Sequence, residues 1–268
     1  MADNSQKVSF CITCKGRLHH LRQTLSRNIE DNLDHDETEF VLLDYTSPDG
    51  LGDWVKAEHL ANLKTGKVVY YRTNEFERFS MPHAKNVAHR LATGSIVCNL
   101  DCDNFTGKGF AAYLCEKLAR STNVFLHGGN LKNISGKIPL WTVFRLRFIR
   151  GVGGRIALRK ADFEKLRGYD ERMNLGWGYE DDDFIRRAQL AGLHPRLIRP
   201  SGQFLGRLLH SDVDRFRHYP VKNKKESREA HKIMSDQTIA SGQFAVNCQR
   251  SWGSATVIKN FTREILLD

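Results

Sequence analysis

Ser95-Ile96-Val97-Cys98-Asn99-Leu100-Asp101-Cys102-Asp103 is the stretch on which the fold turns. Its first six residues make the short apolar run of a buried strand, and that run ends directly on acids. Toward the N-terminus, Val8–Cys14, Phe40–Leu43 and Lys67–Tyr71 are further runs of the same kind. Helical patterns lie between them. Leu18, Leu21 and Leu25 recur at helical spacing, and Gly52–Leu63 and Pro82–Leu91 read as helices. This alternation predicts an α/β fold, a mostly parallel central sheet with helices on its faces. Ligands of such sheets collect beyond the carboxyl ends of the strands, and Thr13, Asp44 and Asp101 stand at those ends.

The pattern loosens after Asp103. A helix is expected over 107–119, a strand over 123–127, a Gly- and Lys-bearing loop over His127–Lys137 and a half-exposed strand over Trp141–Arg150. Arg155–Arg159 reads as a strand, Ala161–Leu166 as a helix, and Asp181–Ala191 as a helix closed by Gly192. Beyond Tyr219 the chain turns polar and basic, and is expected to wrap the surface or hang loose. The reading is one domain over 1–220, with a nucleotide half at 8–105 and an acceptor half at 106–220, then a basic extension at 221–268.

Apolar residues at 40% and charged residues at 27% mark a globular chain and exclude a disordered one. The start, Met1–Phe10, lacks the basic and apolar regions of a signal peptide, and no apolar run approaches a membrane span. A soluble, cytoplasmic protein is expected; the lumenal part of an anchored enzyme is the open alternative. The 6 cysteines make no disulfide framework. Cys11 and Cys14 form a CxxC, read as strand thiols with a zinc or redox pair as the alternative. The net charge of +10 draws the chain toward polyanions. Peripheral contact with an anionic membrane and a plain solvated basic surface both fit it. No nucleic-acid motif accompanies the charge, so nucleic acid is not expected as a partner.

Two places carry chemistry. Asp101 and Asp103, two apart after a buried strand, project to one side and suit a hard divalent cation that bridges carboxylates to phosphates. The bland alternative is an acidic turn that caps the next helix. The sharper signal is Leu175-Gly176-Trp177-Gly178-Tyr179-Glu180-Asp181-Asp182-Asp183-Phe184. Acids favour a helix N-terminus, which accounts for part of the cluster but not for all four acids or the Gly-Trp-Gly turn. An aromatic plane beside carboxylates is how proteins hold sugars.

Together these motifs resemble the GT-A fold glycosyltransferases, and in particular the family 2 enzymes and the β-1,4-galactosyltransferase-like group. Asp101-Cys102-Asp103 resembles the family's DxD. Phe79–Asn86 resembles the segment that precedes it, and Gly153–Phe163 followed by Gly168-Tyr169-Asp170-Glu171 resembles the Gly-Gly stretch. Trp177–Asp183 is similar to the acceptor motif, and His210-Ser211 to the His-Ser whose His completes the metal site. Lys85 stands where the family often has Arg. Arg207 stands where galactosyltransferases carry a Met ligand, so galactose specificity is not carried over.

The resemblance implies a Rossmann-like GT-A domain that moves a sugar from a nucleotide sugar, a UDP-sugar, to an acceptor hydroxyl. It implies that Thr13, Arg17 and Asp44 line the nucleoside pocket and that Lys85 meets the donor. Asp101, Asp103 and His210 would hold Mn²⁺ or Mg²⁺, with Gly153 and Gly154 letting the backbone approach the donor sugar. Trp177, Glu180 and Asp182 would hold a glycan or lipid-linked acceptor, and Asp181 would be the general base of an inverting reaction. The alternatives are a catalytically inactive nucleotide-sugar or glycan-binding protein of the same fold, and a basic nucleic-acid binder.

Overall fold

The computed structural model describes residues 6–129, 154–198, 204–209, 211, 213, 216–220 and 223–268. In chain order the elements are β1 (Val8–Cys14), α1 (Leu18–Glu30), β2 (Thr38–Tyr45), α2 (Leu51–Glu58), α3 (Leu60–Thr65), β3 (Val68–Thr73), α4 (Met81–Leu91) and β4 (Ile96–Asn99). They continue with β5 (Asn104–Phe105), α5 (Phe110–Ala119), β6 (Val124–His127), β7 (Ile156–Arg159), α6 (Lys160–Lys165), α7 (Glu180–Leu190) and β8 (His194–Leu197). The last are β9 (Gly206–Arg207), α8 (Lys224–Ala240), β10 (Ala255–Lys259) and β11 (Arg263–Leu267).

Among the described residues a 9-stranded sheet runs in the order β11-β10-β3-β2-β1-β4-β7-β6-β8. Its heart, β3-β2-β1-β4, is parallel throughout, as the alternation predicted. Both faces are covered, which is why β1 and β2 are buried along their whole length. Phe10, Ile12, Phe40 and Leu42 point into one layer with α1, α2 and α5. Cys11, Val41 and Leu43 point into the other, with α4, α6 and α7. The same two-residue period decides the CxxC. Cys11 and Cys14, three apart on a strand, face opposite layers, so they are separate buried thiols and not a chelating pair.

β7 runs antiparallel between β4 and β6. Its start therefore returns Gly154 to the carboxyl edge of β4, where the DxD begins. A second, 2-stranded sheet pairs β5 with β9, laying Arg207 opposite Asn104.

Two expectations change. The single helix expected over Gly52–Leu63 is α2 and α3, parted at His59, which leaves helical geometry at φ −121° and ψ 18° with its ring set edge-on to Trp54. The C-terminal region is not a loose tail. β10 pairs antiparallel with β3 and with β11, so residues 255–267 complete the sheet, and α8 packs on α7. Val257 is fully buried, and that apolar side chain drives the docking. The expected strand over Trp141–Arg150 lies outside the described residues. No helix among the described residues is long and apolar enough to cross a membrane.

Candidate active site

The DxD occupies the turn after β4, not the strand itself, with Asn104 N–H donating to Asp101 O at 2.9 Å. Cys102 turns inward into the core cluster that holds Cys14, while Asp101 is half-buried and Asp103 buried. Asp101 Oδ1 accepts from Asn99 Nδ2 at 3.2 Å, and the same amide donates to Gly154 O at 2.8 Å. Asn99 thus ties the Asp101–Asp103 turn to Gly154. Asp103 Oδ1 accepts from Asn104 Nδ2, and Arg17 approaches its Oδ2 at 3.7 Å. Burial raises the Asp101 carboxyl; Lys85 pulls it down, Asp103 pushes it further up, and Asn99 and Arg17 lower it.

Gly154 is where Asp101 and Asp181 meet. A Cβ there would lie 2.8 Å from Asp181 Oδ2 and 3.3 Å from Asp101 Oδ2, so any side chain would fill the space into which both carboxylates point. Oxygen donors crowded around an open space fit a hard cation such as Mn²⁺ or Mg²⁺, which commonly completes its shell with water and phosphate. Among the described residues no group of three or more His, Cys, Asp or Glu side chains that could hold a metal ion occurs, here or elsewhere. His210, like Gly153, lies outside the described residues. Leu208 N–H donates to Asp103 O at 2.7 Å, which continues the pairing of β5 with β9.

The acid cluster opens α7, and its members have distinct partners. Asp183 pairs with Arg187 at 2.7 Å, both side chains wholly buried, and Arg187 also donates to Gly168 O at 2.9 Å. Asp182 pairs with Arg228 of α8 at 2.6 Å. Glu180 and Asp181 share the buried ammonium of Lys85, at 3.3 and 2.6 Å. The opposing acids hold the Lys85 ammonium well above the ordinary lysine value despite the cost of burial. Burial pushes the Asp181 carboxyl up to about 7, against the pull of Lys85. Its side chain is 25% exposed, against 6% for Glu180, so Asp181 is the more accessible of the two.

Lys85 was expected to meet the donor; in this structure its charge is turned to the α7 acids. Asp44 is likewise occupied. Its carboxylate is wholly buried, accepting from Ser47 N–H at 2.7 Å, Tyr70 Oη at 2.6 Å and Arg72 at 3.2 Å, so it anchors the loop after β2. Thr13 is buried at the end of β1 with Oγ1 against Met81 Sδ. Arg17 binds His20 through Nε and faces the DxD with its far end.

The segments that resemble family motifs interlock. Asn86 Nδ2 donates to Tyr169 O and Glu171 Oε1, and Tyr169 N–H donates back to Asn86 Oδ1 at 2.7 Å. A Cβ on Gly168 would lie 2.2 Å from that Asn86 oxygen, and Gly168 has φ +68°, so only glycine fits. The Trp177 turn is held by a helix that sequence reading missed. Ser227 Oγ donates to Trp177 O at 3.0 Å, and His231 Nδ1 lies 2.7 Å from Gly178 O. Lys224 Nζ lies 4.5 Å from the Trp177 ring centre and the Arg228 guanidinium 5.0 Å from that of Tyr179. Tyr179 itself has φ +79°, an uncommon setting for a residue with a side chain, and these contacts hold it there. The basic composition of Lys224–Arg228 was the one available signal, and it reads equally well as a solvated surface.

Residues 142–220 match the family model described as the N-terminal domain of galactosyltransferase. No curated protein sequence matches the chain. Among solved structures, the chain is similar to a mannosyltransferase from Pyrobaculum calidifontis in complex with GDP-Man and Mn²⁺, at 20% identity and a TM-score of 0.56 over 74% of this chain. It is similar to S. aureus TarS in complex with UDP, at 16% identity and a TM-score of 0.55 over 72% of this chain. A third likeness is to the catalytic domain of Drosophila β1,4-galactosyltransferase 7, at 18% identity and a TM-score of 0.50, covering 86% of this chain and 79% of that one. The chain spans 56% and 57% of the length of the first two proteins. Its fold is that of the GT-A glycosyltransferases.

Proposed function

We propose that the protein is a metal-dependent glycosyltransferase that moves a sugar from a nucleotide sugar, most simply a UDP-sugar, to a hydroxyl of a glycan or lipid-linked acceptor. The observation that carries this reading is the convergence over Gly154. The metal motif and the acid proposed as base point into one space that only a glycine leaves open. The match to a galactosyltransferase model and the UDP and Mn²⁺ in the similar structures support the choice of donor and cation.

Asp101 and Asp103 would hold the cation, with His210 completing its ligands, as the likeness of His210-Ser211 to the family's His-Ser implies. When bound, the cation supplies Lewis acidity to the departing diphosphate. Arg17, beside Asp103, adds a positive charge to the same side of the cleft. Asp181 accepts the proton of the acceptor hydroxyl as its oxygen attacks the sugar's anomeric carbon. Displacement from the face opposite the leaving group inverts that carbon. Lys85 holds Asp181 in place and favours its charged form, Glu180 shares that ammonium, and Trp177 offers a ring face to the acceptor. Asp182, paired with Arg228, keeps the acceptor turn against α8.

The test is incubation with a panel of UDP- and GDP-sugars, with and without Mn²⁺, while released nucleotide is measured. Mn²⁺-dependent release from at least one donor is expected. No release above blank from any of them, with nucleotide binding intact, would favour an inactive binding protein of the same fold.

A further inference from the structure

Arg155 is only 1% exposed, and the acceptors of its guanidinium among the described residues are neutral. It donates to Phe204 O, to Gly206 O at 3.4 Å and to Asn104 Oδ1 at 2.7 Å. Burying a cation is costly, so each of these contacts calls for a reason. The two carbonyls account for the placing of β9. The contact with Asn104 does something else.

The backbone of Asn104 is held without Arg155. Its N–H donates to Asp101 O at 2.9 Å, its carbonyl accepts from Asn28 Nδ2 at 2.9 Å, and β5 pairs it with Arg207. What Arg155 holds is the side-chain amide. A guanidinium only donates, so it takes the oxygen end and turns the Nδ2 end to Asp103 Oδ1, 2.9 Å away. The charge strengthens that bond and polarises the amide that donates onward. Fixing Oδ1 fixes the plane of the Asp103 carboxylate. Asp101 has a matching arrangement. Its Oδ1 accepts from Asn99 Nδ2 at 3.2 Å, and Asn99 is anchored on Gly154 O at 2.8 Å. Gly154 and Arg155 are adjacent, so the two residues leading into β7 brace both acids.

Resting on the metal-dependent reading of the site, we propose that Arg155 is a positioning residue that, through the Asn104 amide, sets the orientation of Asp103 toward the divalent cation. Ligating carboxylates are commonly oriented by such outer partners, whose loss costs roughly ten- to a hundredfold in metal affinity. The charge of Arg155 acting alone would do the opposite. A buried cation two hydrogen bonds behind Asp103 repels Mn²⁺, and its removal would tighten binding. Relay and bare charge therefore differ in sign.

The experiment measures Mn²⁺ affinity of the full chain, alone and with UDP, by electron paramagnetic resonance, with folding followed by circular dichroism. Asn104→Ala removes the amide but leaves Arg155 its bonds to Phe204 and Gly206. It should fold and bind Mn²⁺ about tenfold or more weakly. Arg155→Met should show a loss of the same size, and the double variant no further loss, because the two residues act in series. If Arg155→Met does not fold, Arg155→Lys takes its place with the same reading, since it keeps the charge but has one nitrogen where the guanidinium uses two. Unchanged affinity in Asn104→Ala, unchanged or tighter binding in the folded Arg155 variant, or losses that add in the double variant each overturn the proposal. Wild-type protein that binds no Mn²⁺ even with UDP defeats the metal-dependent reading instead, so the two failures are distinct.

Discussion

Lys85 Nζ lies 2.6 Å from Asp181 Oδ1, and the lysine side chain is only 1% exposed. That contact sets the sign of a pH effect. Burial, Glu180 and Asp101 all raise the Asp181 carboxyl toward its value of about 7, and Lys85 opposes them. Lys85→Met removes the opposition, so less Asp181 is ionised at neutral pH. The acidic limb of the kcat/KM profile is expected to move to higher pH, with activity partly recovered on the alkaline side. Lys85→Arg keeps a charge there and should leave the limb nearer the wild-type position. A limb that stays put in Lys85→Met would show that the ammonium does not tune the base.

Metal removal addresses the other side of the cleft. Asp101 and Asp103 would meet a diphosphate with like charge unless a cation stands between them. UDP should therefore bind much more weakly in EDTA than with Mn²⁺ in calorimetric titration, and Asp101→Asn should lessen the difference. Equal affinity in both conditions would remove the metal assignment.

The parallel heart of the sheet was legible in the sequence because β1 to β4 are buried on both faces and read as unbroken apolar runs. The acid cluster was legible for the opposite reason, as consecutive charges that a helix N-terminus does not fully explain. Contacts made across long sequence separations were not legible. Lys85 reaches Asp181 across 96 residues, and Asp182 reaches Arg228 across 46. Each alone looks like an ordinary surface charge. The partners of Asp44 were not legible either, because its place at a strand end says nothing of the Tyr70 and Arg72 that donate to it. β10 and β11 were missed because they are short and half-exposed, with weak periodicity at a sheet edge.

That edge gives a truncation test. A chain ending at residue 220 loses the pairing of β10 with β3, together with the Ser227, Arg228 and His231 contacts to Trp177, Asp182 and Gly178. It is expected to be insoluble or to melt well below the full chain, as followed by circular dichroism. A truncated protein with wild-type melting would make 221–268 an appendage after all.

Asp181→Asn is the decisive substitution. The amide nearly preserves shape but cannot take a proton, and loss of a general base costs roughly a hundred- to ten-thousandfold in rate. UDP affinity with Mn²⁺ should survive, because Asp101, Asp103 and Arg17 handle that side of the cleft. Stability gives an independent check. The folded Asp181 carboxyl titrates at about 7, against an ordinary 3.8, so it stabilises the fold fully below the ordinary value and loses that contribution as pH rises through about 7. Asp181→Asn should flatten that part of the stability curve. Asp183→Asn is the control with the opposite signature. It breaks a wholly buried pair with Arg187, at a cost of about 3–5 kcal/mol, and should unfold early in denaturant while each folded molecule keeps its turnover. Near-normal turnover in Asp181→Asn beside a dead Glu180→Gln would move the base to Glu180, the other acid on Lys85. Full activity in both would reduce the cluster to a helix cap, and the catalytic reading would fall with it.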